Sequence, residues 1–526
     1  VEVSVESGDI IVGLDSGTSV VKAVAFDLTG KQLACASVRN RYYRAAGGAA
    51  QQSMSQTWQD AASALRQLSD RIDNLPARVA ALAVTAQGDG SWLVDAEDRP
   101  VGDAWIWLDA RAASTVATLN QHPLAQARFS ATGTGLNTCQ QGAQLAHMDR
   151  HFPDLLAKAD VALHCKDWLY LNLTGVRATD PSEASFTFGN FRHAGYDDTV
   201  IDALGLTHRR HLLPEIVEGT EITHPLTREA ATLTGLRAGT PVVLGYVDMA
   251  MTALGAGVHT GEANTACSIV GSTGVHLRSV AVDDVWLNPA QTGYVIPLPW
   301  PGYVTQVQTN MASTLNLDWL LNVASELLQS FGCETDHARL VAQIDAWLTR
   351  TTPGTLLFHP YISLAGERGP FVNASARAGF TGLHYQHTFA DMVRGVVEGI
   401  GMAARDCYQA MGQDRPGEIR LTGGAVRSAP LRQILAAAIG APVRISQREE
   451  AGAAGAAMMA AVAVGAFSSM AACAETWVRP LLGAPETPDP DLMQRYDALF
   501  PHYQQIRSDL PACWQALNTC NGVNHE

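Results

Sequence analysis

The sequence predicts an α/β protein in two related halves. Three observations carry this. Strand-like apolar runs alternate with helical stretches, as in layered α/β architectures. A unit of strand, small-residue turn and strand near the N-terminus recurs at 265–281. The 526 residues also exceed one ordinary core; at roughly 150 residues per domain they make two to four units.

The first unit, 10–38, reads IIVGLDSGTSVVKAVAFDLTGKQLACASV. Ile10 to Leu14 is a short apolar run, expected as a buried strand. Asp15-Ser16-Gly17-Thr18-Ser19 is turn-like, Val20 to Phe26 is a second strand, Leu28 to Lys31 a second turn, and Gln32 to Val38 a third strand. Residues 55–74 read as a helix, Val79 to Thr85 as a strand, 144–173 as mostly helical and Pro241 to Tyr246 as a strand. The recurring unit, TACSIVGSTGVHLRSVA, runs into Gly271-Ser272-Thr273-Gly274 and out into a strand. Helices are expected at 313–331, 387–412, 428–440 and 449–466, with a strand at 416–422 leading into Gly423-Gly424. The boundary between the halves is expected near 253–262.

Composition excludes several classes. Apolar residues make up 47%, so the chain is not disordered. A net charge of −15 argues against a nucleic-acid platform, which is usually basic. The nine cysteines form no CxxC pair or Cys/His cluster, so neither a disulfide framework nor a zinc site is expected, and free thiols suit the cytoplasm. The start, VEVSVESGD, carries acids where a signal peptide carries bases. The stretch AGAAGAAMMAAVAVGAF at 451–467 is too weakly hydrophobic for a membrane span and reads as a tightly packed buried helix.

Several turns could carry chemistry. In the loop Asp15 to Lys22, Gly17 lets backbone N–H groups approach a phosphate, Thr18 and Ser19 add hydroxyls, and Asp15 could hold hydrated Mg²⁺. The same residues suit a plain hairpin turn, and no Walker A pattern is present. Gly271-Ser272-Thr273 repeats the logic and offers donors from a second side. Asp248 follows a buried strand, where α/β ligand sites form; it could accept a hydroxyl proton or serve as a helix N-cap. Gln87-Gly88-Asp89 ends another strand with groups suited to vicinal hydroxyls, and Trp92, Trp105 and Trp107 offer indoles to cover a polyol; a polar turn before core tryptophans is the competing reading. Gly423-Gly424-Ala425 leaves a flat surface on which a base could lie, or is a strand-to-helix turn.

Together these segments resemble the FGGY carbohydrate kinases, within the actin–hexokinase superfamily of ATPases. The resemblance runs in order from Ile11 to about Phe467. Its most specific piece is 356–383, LLFHPYISLAGERGPFVNASARAGFTGL, with a Gly-Glu-Arg-x-Pro core at Gly366 to Pro370 and Ala-Arg-x-x-Phe at Ala376 to Phe380. The segments LHCKDWLYLNLTGVRATDPSEA at 163–184, RGVVEG at 394–399 and LTGGA at 421–425 resemble further family blocks, while 468–526 resembles the family least and is assigned no role.

The resemblance implies a two-lobed actin-like, ribonuclease H-like fold with ATP in the interdomain cleft. Lobe 1–255 would carry the sugar site, first phosphate loop and catalytic acid, and lobe 256–526 the nucleotide site. Asp248 matches the catalytic base, with Asp15 and Asp248 near Mg²⁺. Gly17, Thr18, Ser19 and Lys22 match the first phosphate loop, Gly271, Ser272 and Thr273 the second, and Gly423, Gly424, Ala425 and Ser428 the adenine pocket. Gln87, Gly88 and Asp89 match the sugar-contacting turn, with Trp107 and Met249 beside it.

The implied partners are ATP and a small sugar or polyol, with no nucleic acid or membrane; a homodimer is common in the family. Glycerol kinases usually carry Arg-Glu where this chain has Gly88-Asp89, which predicts extra space, and a tyrosine where it has Cys139. Xylulose kinases usually carry Met-His at the Gly88-Asp89 position. Gln144 and Lys22 also depart from residues common in relatives. QGDGSWLVD and WLDARA resemble the erythritol kinase and L-xylulose kinase subgroup. Erythritol is therefore the expected substrate, xylulose or another pentulose the alternative, and a non-catalytic sugar sensor or conformational ATPase the alternative of another class.

Overall fold

The computed structural model describes residues 8–258, 264–333, 335–412 and 414–520, and the backbone alone at 425 and 426. Two six-stranded sheets organise it. In the first, β1 (Ile10–Ser16), β2 (Val20–Asp27) and β3 (Gln32–Arg39) form an antiparallel meander. On the other side of β1 lie β4 (Val79–Ala86) and β5 (Pro241–Leu244), both parallel to it, and the short edge strand His224–Pro225.

The second sheet repeats this connectivity. β6 (Thr265–Val270) and β7 (Gly274–Ala281) form the hairpin; β8 (Tyr294–Pro297) and β9 (Tyr303–Asn310) extend it antiparallel, giving the order β8-β9-β7-β6. β10 (Glu418–Thr422) and β11 (Val443–Ile445) continue parallel on the far side of β6. The two related halves expected from the recurring hairpin are thus visible in strand order, in the two-lobed actin-like arrangement.

Alternation explains how the first sheet buries both faces. Ile10, Val12 and Leu14 point into a core with α1 (Met54–Ser69) and α2 (Cys165–Thr174). Ile11, Val24 and Phe26 point the other way, into a core shared with Cys267, Leu277 and Val307 of the second sheet. Past α3 (Pro181–Phe188), the helices α4 (Asp248–Ala256) and α5 (Thr314–Ser330) follow the two hairpin-bearing regions. α6 (Phe389–Gln409) and α7 (Ala429–Ile439) pack on the outer face of the second sheet. α8 (Ala451–Ala463) crosses back and lies against α4, β1 and β4.

The Ala/Gly composition of α8 explains that crossing. A Cβ on Gly455 would fall 2.1 Å from the Met251 carbonyl oxygen, and one on Gly255 only 2.0 Å from that of Ala451. The two helices touch backbone to backbone, as small residues permit. α9 (Met470–Trp477) stays on the first sheet, and α10 (Pro490–Cys520) returns to the second, burying Tyr496, Phe500 and Tyr503. Among the described residues no helix is long and apolar enough to cross a membrane.

Three local expectations shift. The 55–74 helix stops at Ser69; Asp70 closes it, and Asn74 turns left-handed (φ +53°) ahead of Pro76. The mostly helical 144–173 stretch includes the strand Val161–Leu163, paired with Trp92–Val94. The strand from Pro241 ends at Leu244, because Gly245 leaves it for a turn so close to β4 that a Cβ would sit 2.6 Å from the Val84 oxygen.

Candidate active site

Strand register brings the candidate turns together. Asp15 pairs with Thr85 and Ser16 with Ala86, while Leu244 pairs with Val84. The turns at 17–19, 87–89 and 245–248 therefore leave the carboxyl ends of three neighbouring parallel strands. On the second sheet Ile269 pairs with Thr422, which sets 271–273 beside 423–424. Between the sheets lies a cavity of ≈ 250 Å³. Thr18, Gln87, Asp89, Trp107, Asp248 and Met249 line it from the first half, and Thr273, Tyr294, Asn310 and Arg368 from the second.

Asp248 is the first residue of α4, and Val247 is the N-cap, with no side-chain cap bond. The N-cap alternative is thereby removed, and the carboxyl faces the cavity. Burial, then the carboxylate of Asp15, push its pKa well above the usual range; the Met249 N–H acts against them. Asp15 is pushed up to about 6, chiefly by burial; Lys22 opposes this and Glu450 adds to it. Gly452 of α8 leaves room for this acid, since a Cβ there would be 2.5 Å from its Oδ2. Two buried carboxylates that resist joint ionisation suit a hard divalent cation. No group of three His, Cys, Asp or Glu ligands exists among the described residues. Two carboxylates fit an ion that keeps waters and takes phosphate oxygens, as Mg²⁺ does.

The turn expected to contact the sugar is built differently from its sequence reading. The Gln87 amide is engaged within the protein: its oxygen accepts from the Thr18 hydroxyl (2.8 Å), and its nitrogen donates to Gln52 (2.6 Å). Trp107 Nε1 donates to the same Thr18 hydroxyl (2.8 Å), so Thr18 faces the cavity between the sheets, where the sequence had placed it in a phosphate loop. The extra space expected at Gly88 is filled, because a Cβ there would meet Val247 Cγ2 at 2.4 Å. Trp92 and Trp105 are core residues, and Trp107 alone of the three lines the cavity. Asp89 is turned left-handed (φ +57°), and its Oδ2 accepts from Tyr294 (3.0 Å) and Cys139 (3.3 Å).

The two phosphate-loop candidates have parallel geometry. The Gly17 N–H donates to Val20 (3.0 Å) and that of Gly271 to Thr273 (3.1 Å), so neither is open to a ligand. The N–H groups of Thr18, Ser19, Ser272 and Thr273 have no protein acceptor among the described residues. Lys22 reaches Glu450 at 2.7 Å. Gly423 (φ +101°) passes β6 so closely that a Cβ would be 2.5 Å from the Val270 oxygen, and Gly424 is open. Ser428 caps α7 and donates to Asp345 (2.5 Å), so its hydroxyl is engaged away from a base. The side chain of Ala425 lies outside the described residues.

Known proteins share this arrangement. Residues 10–255 match the N-terminal domain of the FGGY family of carbohydrate kinases, and residues 266–464 match its C-terminal domain. The chain belongs to the FGGY family. It is 62% identical to the erythritol kinase of Brucella abortus (strain 2308), over 97% of this chain and 98% of that one. It is 30% identical to the xylulose kinase of Escherichia coli (strain K12), over 94% and 97%. A crystal structure of a gluconate kinase from Lactobacillus acidophilus superposes with a TM-score of 0.86 at 23% identity, covering 97% and 99%.

The 163–184 block of this FGGY kinase forms the floor beneath the cavity, a placement its sequence did not disclose. The Asp89 N–H donates to Glu183 (3.3 Å), which faces His164 Nε2 at 2.7 Å. His164 faces Asp167 (3.2 Å), and Lys166 lies between Asp167 (2.7 Å) and Asp180 (2.5 Å). Asp180 accepts from the Ser182 hydroxyl, which accepts from the N–H of Val247 (3.1 Å). One buried polar chain thus ties the Asp89 turn to the residue before Asp248. Burial opposes charge on His164, but Glu183 and Asp167 outweigh it and hold its pKa up at about 9. Tyr294 and Arg368 were also missed. Arg368 lies inside the 356–383 signature, so its segment was flagged; nothing local marks Tyr294.

Proposed function

We propose that this FGGY kinase transfers the γ-phosphoryl group of ATP to a terminal hydroxyl of erythritol. The observation that carries the reading is the 62% identity to an erythritol kinase along nearly the full length of both chains. The cavity supports it. Its volume suits a small polyol, Trp107 lines one side, and Asp89 supplies a carboxylate acceptor for hydroxyls.

Asp248 accepts the proton of the acceptor hydroxyl as that oxygen attacks phosphorus in line. Its raised pKa makes it a stronger base than an exposed carboxylate. The open N–H groups of Thr18, Ser19, Ser272 and Thr273 hold phosphate oxygens from both lobes. Asp15 and Asp248 would hold Mg²⁺, which when bound would supply charge neutralisation for the phosphates. Gly423 and Gly424 let the nucleotide base approach the backbone. The halves divide at about 255, with α8 and α9 returning to the first. All nine cysteines are free, which supports the cytoplasm as location.

A pentulose is the second reading. The xylulose kinase relative favours it, and so does Arg368, a donor in the cavity that could serve a ketose carbonyl. A coupled ADP-release assay decides, with Mg-ATP and erythritol, glycerol, D- and L-xylulose, ribulose, ribitol or no sugar. Erythritol is expected to give the highest kcat/KM. Asp248→Asn is expected to lower kcat by about 10²- to 10⁴-fold without lowering the melting temperature. A pentulose preference would replace the substrate reading. Sugar-independent ADP release in every arm would favour the conformational ATPase, and no ADP release at all the sensor.

A further inference from the structure

Asp89 and Arg368 face the same cavity from opposite lobes, carry opposite charges, and are not paired with each other. Asp89 Oδ2 has two donors, but its buried Oδ1 has no hydrogen-bond partner. A buried carboxylate oxygen without a donor is costly, and most such groups in folded proteins are satisfied. Among the described residues the Arg368 guanidinium likewise has no hydrogen bond or ion pair.

The backbone of Arg368 is nevertheless held firmly. Its N–H donates to Glu367 Oε1 (2.9 Å), and the same oxygen accepts from the Met311 N–H (2.9 Å) just past β9. The charge of Arg368 also reaches the cavity wall, where it acts on Cys139 and Tyr294, the two residues that donate to Asp89 Oδ2.

A guanidinium only donates, a carboxylate only accepts, and a hydroxyl does both. A polyol hydroxyl placed between them would donate to the Asp89 carboxylate and accept from Arg368. We propose that Arg368 is a specificity-determining residue that binds substrate hydroxyls remote from the one facing Asp248, opposite Asp89. The substrate itself then joins the two lobes. This rests on the reading of the chain as a polyol kinase and adds the part of the site that measures chain length. Erythritol reaches the Asp89–Arg368 pair; glycerol, one carbon shorter, lacks the hydroxyl that does.

The test compares the wild type with Arg368→Met and Arg368→Lys in the coupled assay on erythritol and glycerol. Tryptophan fluorescence gives polyol Kd without ATP, because Trp107 lines the cavity. For Arg368→Met, kcat/KM on erythritol is expected to fall about 10- to 100-fold, through KM, as for loss of a charged hydrogen bond. Erythritol Kd should rise by the same factor, with glycerol kinetics and the KM for ATP unchanged. Arg368→Lys should recover part of the loss. The inference is overturned if erythritol and glycerol fall together, if the KM for ATP rises instead, or if neither polyol responds. If Arg368→Met does not fold, Arg368→Gln takes its place. If the wild type prefers another sugar, the erythritol reading fails separately. The Arg368 inference then still requires the variant to lose discrimination between that sugar and its homologue one carbon shorter.

Discussion

Asp89 shows how one residue can be tuned against stability. Burial first, and then Glu183, push its carboxyl up to about 6, against the hydrogen bonds from Cys139 and Tyr294. Between about pH 4 and 6 the folded protein holds a proton that the unfolded chain has released. Stability from this group is therefore greatest on the acid side and falls as pH rises through 6. At neutral pH the ionised carboxylate is a net cost, retained for what it binds. Asp89→Asn is expected to raise the melting temperature of the ligand-free protein at about pH 8, and to raise it less at about pH 4.5. Its kcat/KM for erythritol is expected to fall about 10- to 100-fold. A lower melting temperature at the higher pH would mean that Tyr294 and Cys139 compensate the charge fully. The sequence offered Asp89 as a hydroxyl partner; it did not offer its left-handed backbone or its contact with Tyr294, which is 205 positions away.

At the scale of elements, the crossing of α4 and α8 positions both acids. α4 begins with Asp248, and α8 places Gly452 against Asp15. Gly255→Ala and Gly455→Ala are each expected to cost about 1–3 kcal/mol in urea unfolding, because the new methyl meets a backbone carbonyl that cannot move alone. Gly379→Ala, where nothing lies within 4 Å of the added Cβ, is the comparison and should be near neutral. Equal effects at all three positions would mean that the loss does not come from close packing at the crossing. The composition of 451–467 disclosed a tightly packed buried helix, because Ala and Gly all round leave no polar face. It could not disclose that this helix packs on the other half's sheet.

At the scale of the whole molecule, the least family-like segment joins the lobes. Trp477 packs on Phe26 at 5.4 Å and donates to the Leu28 carbonyl (3.1 Å). Gly30 is left-handed (φ +82°) directly under its ring, where a Cβ would be 2.5 Å from Trp477 Cγ. Farther on, Tyr496, Phe500 and Tyr503 complete the core of the second sheet. Trp477→Ala is expected to destabilise by about 3–5 kcal/mol. A chain ending at Phe467 is expected to show no cooperative thermal transition, as read by far-UV circular dichroism. Cooperative melting of that truncated chain, with sugar-dependent ADP release, would show the segment to be dispensable.

By itself the sequence determined the α/β class, the repeated hairpin, most strand and helix positions, and the acids and glycines of the cleft turns. These are local properties: apolar periodicity sets the strands and helices, and turn chemistry sets the positions of Asp15, Gly17, Asp89 and Gly271. Only the tertiary structure decided which of those groups are free to act. It engaged Gln87, Lys22 and Ser428 in protein contacts, filled the space beside Gly88 with Val247, and brought Tyr294 and Arg368 from the second half to face Asp89. The reason is physical. A hydrogen bond or a steric contact between residues far apart in the chain depends on how sheets and helices pack, and no local pattern records it.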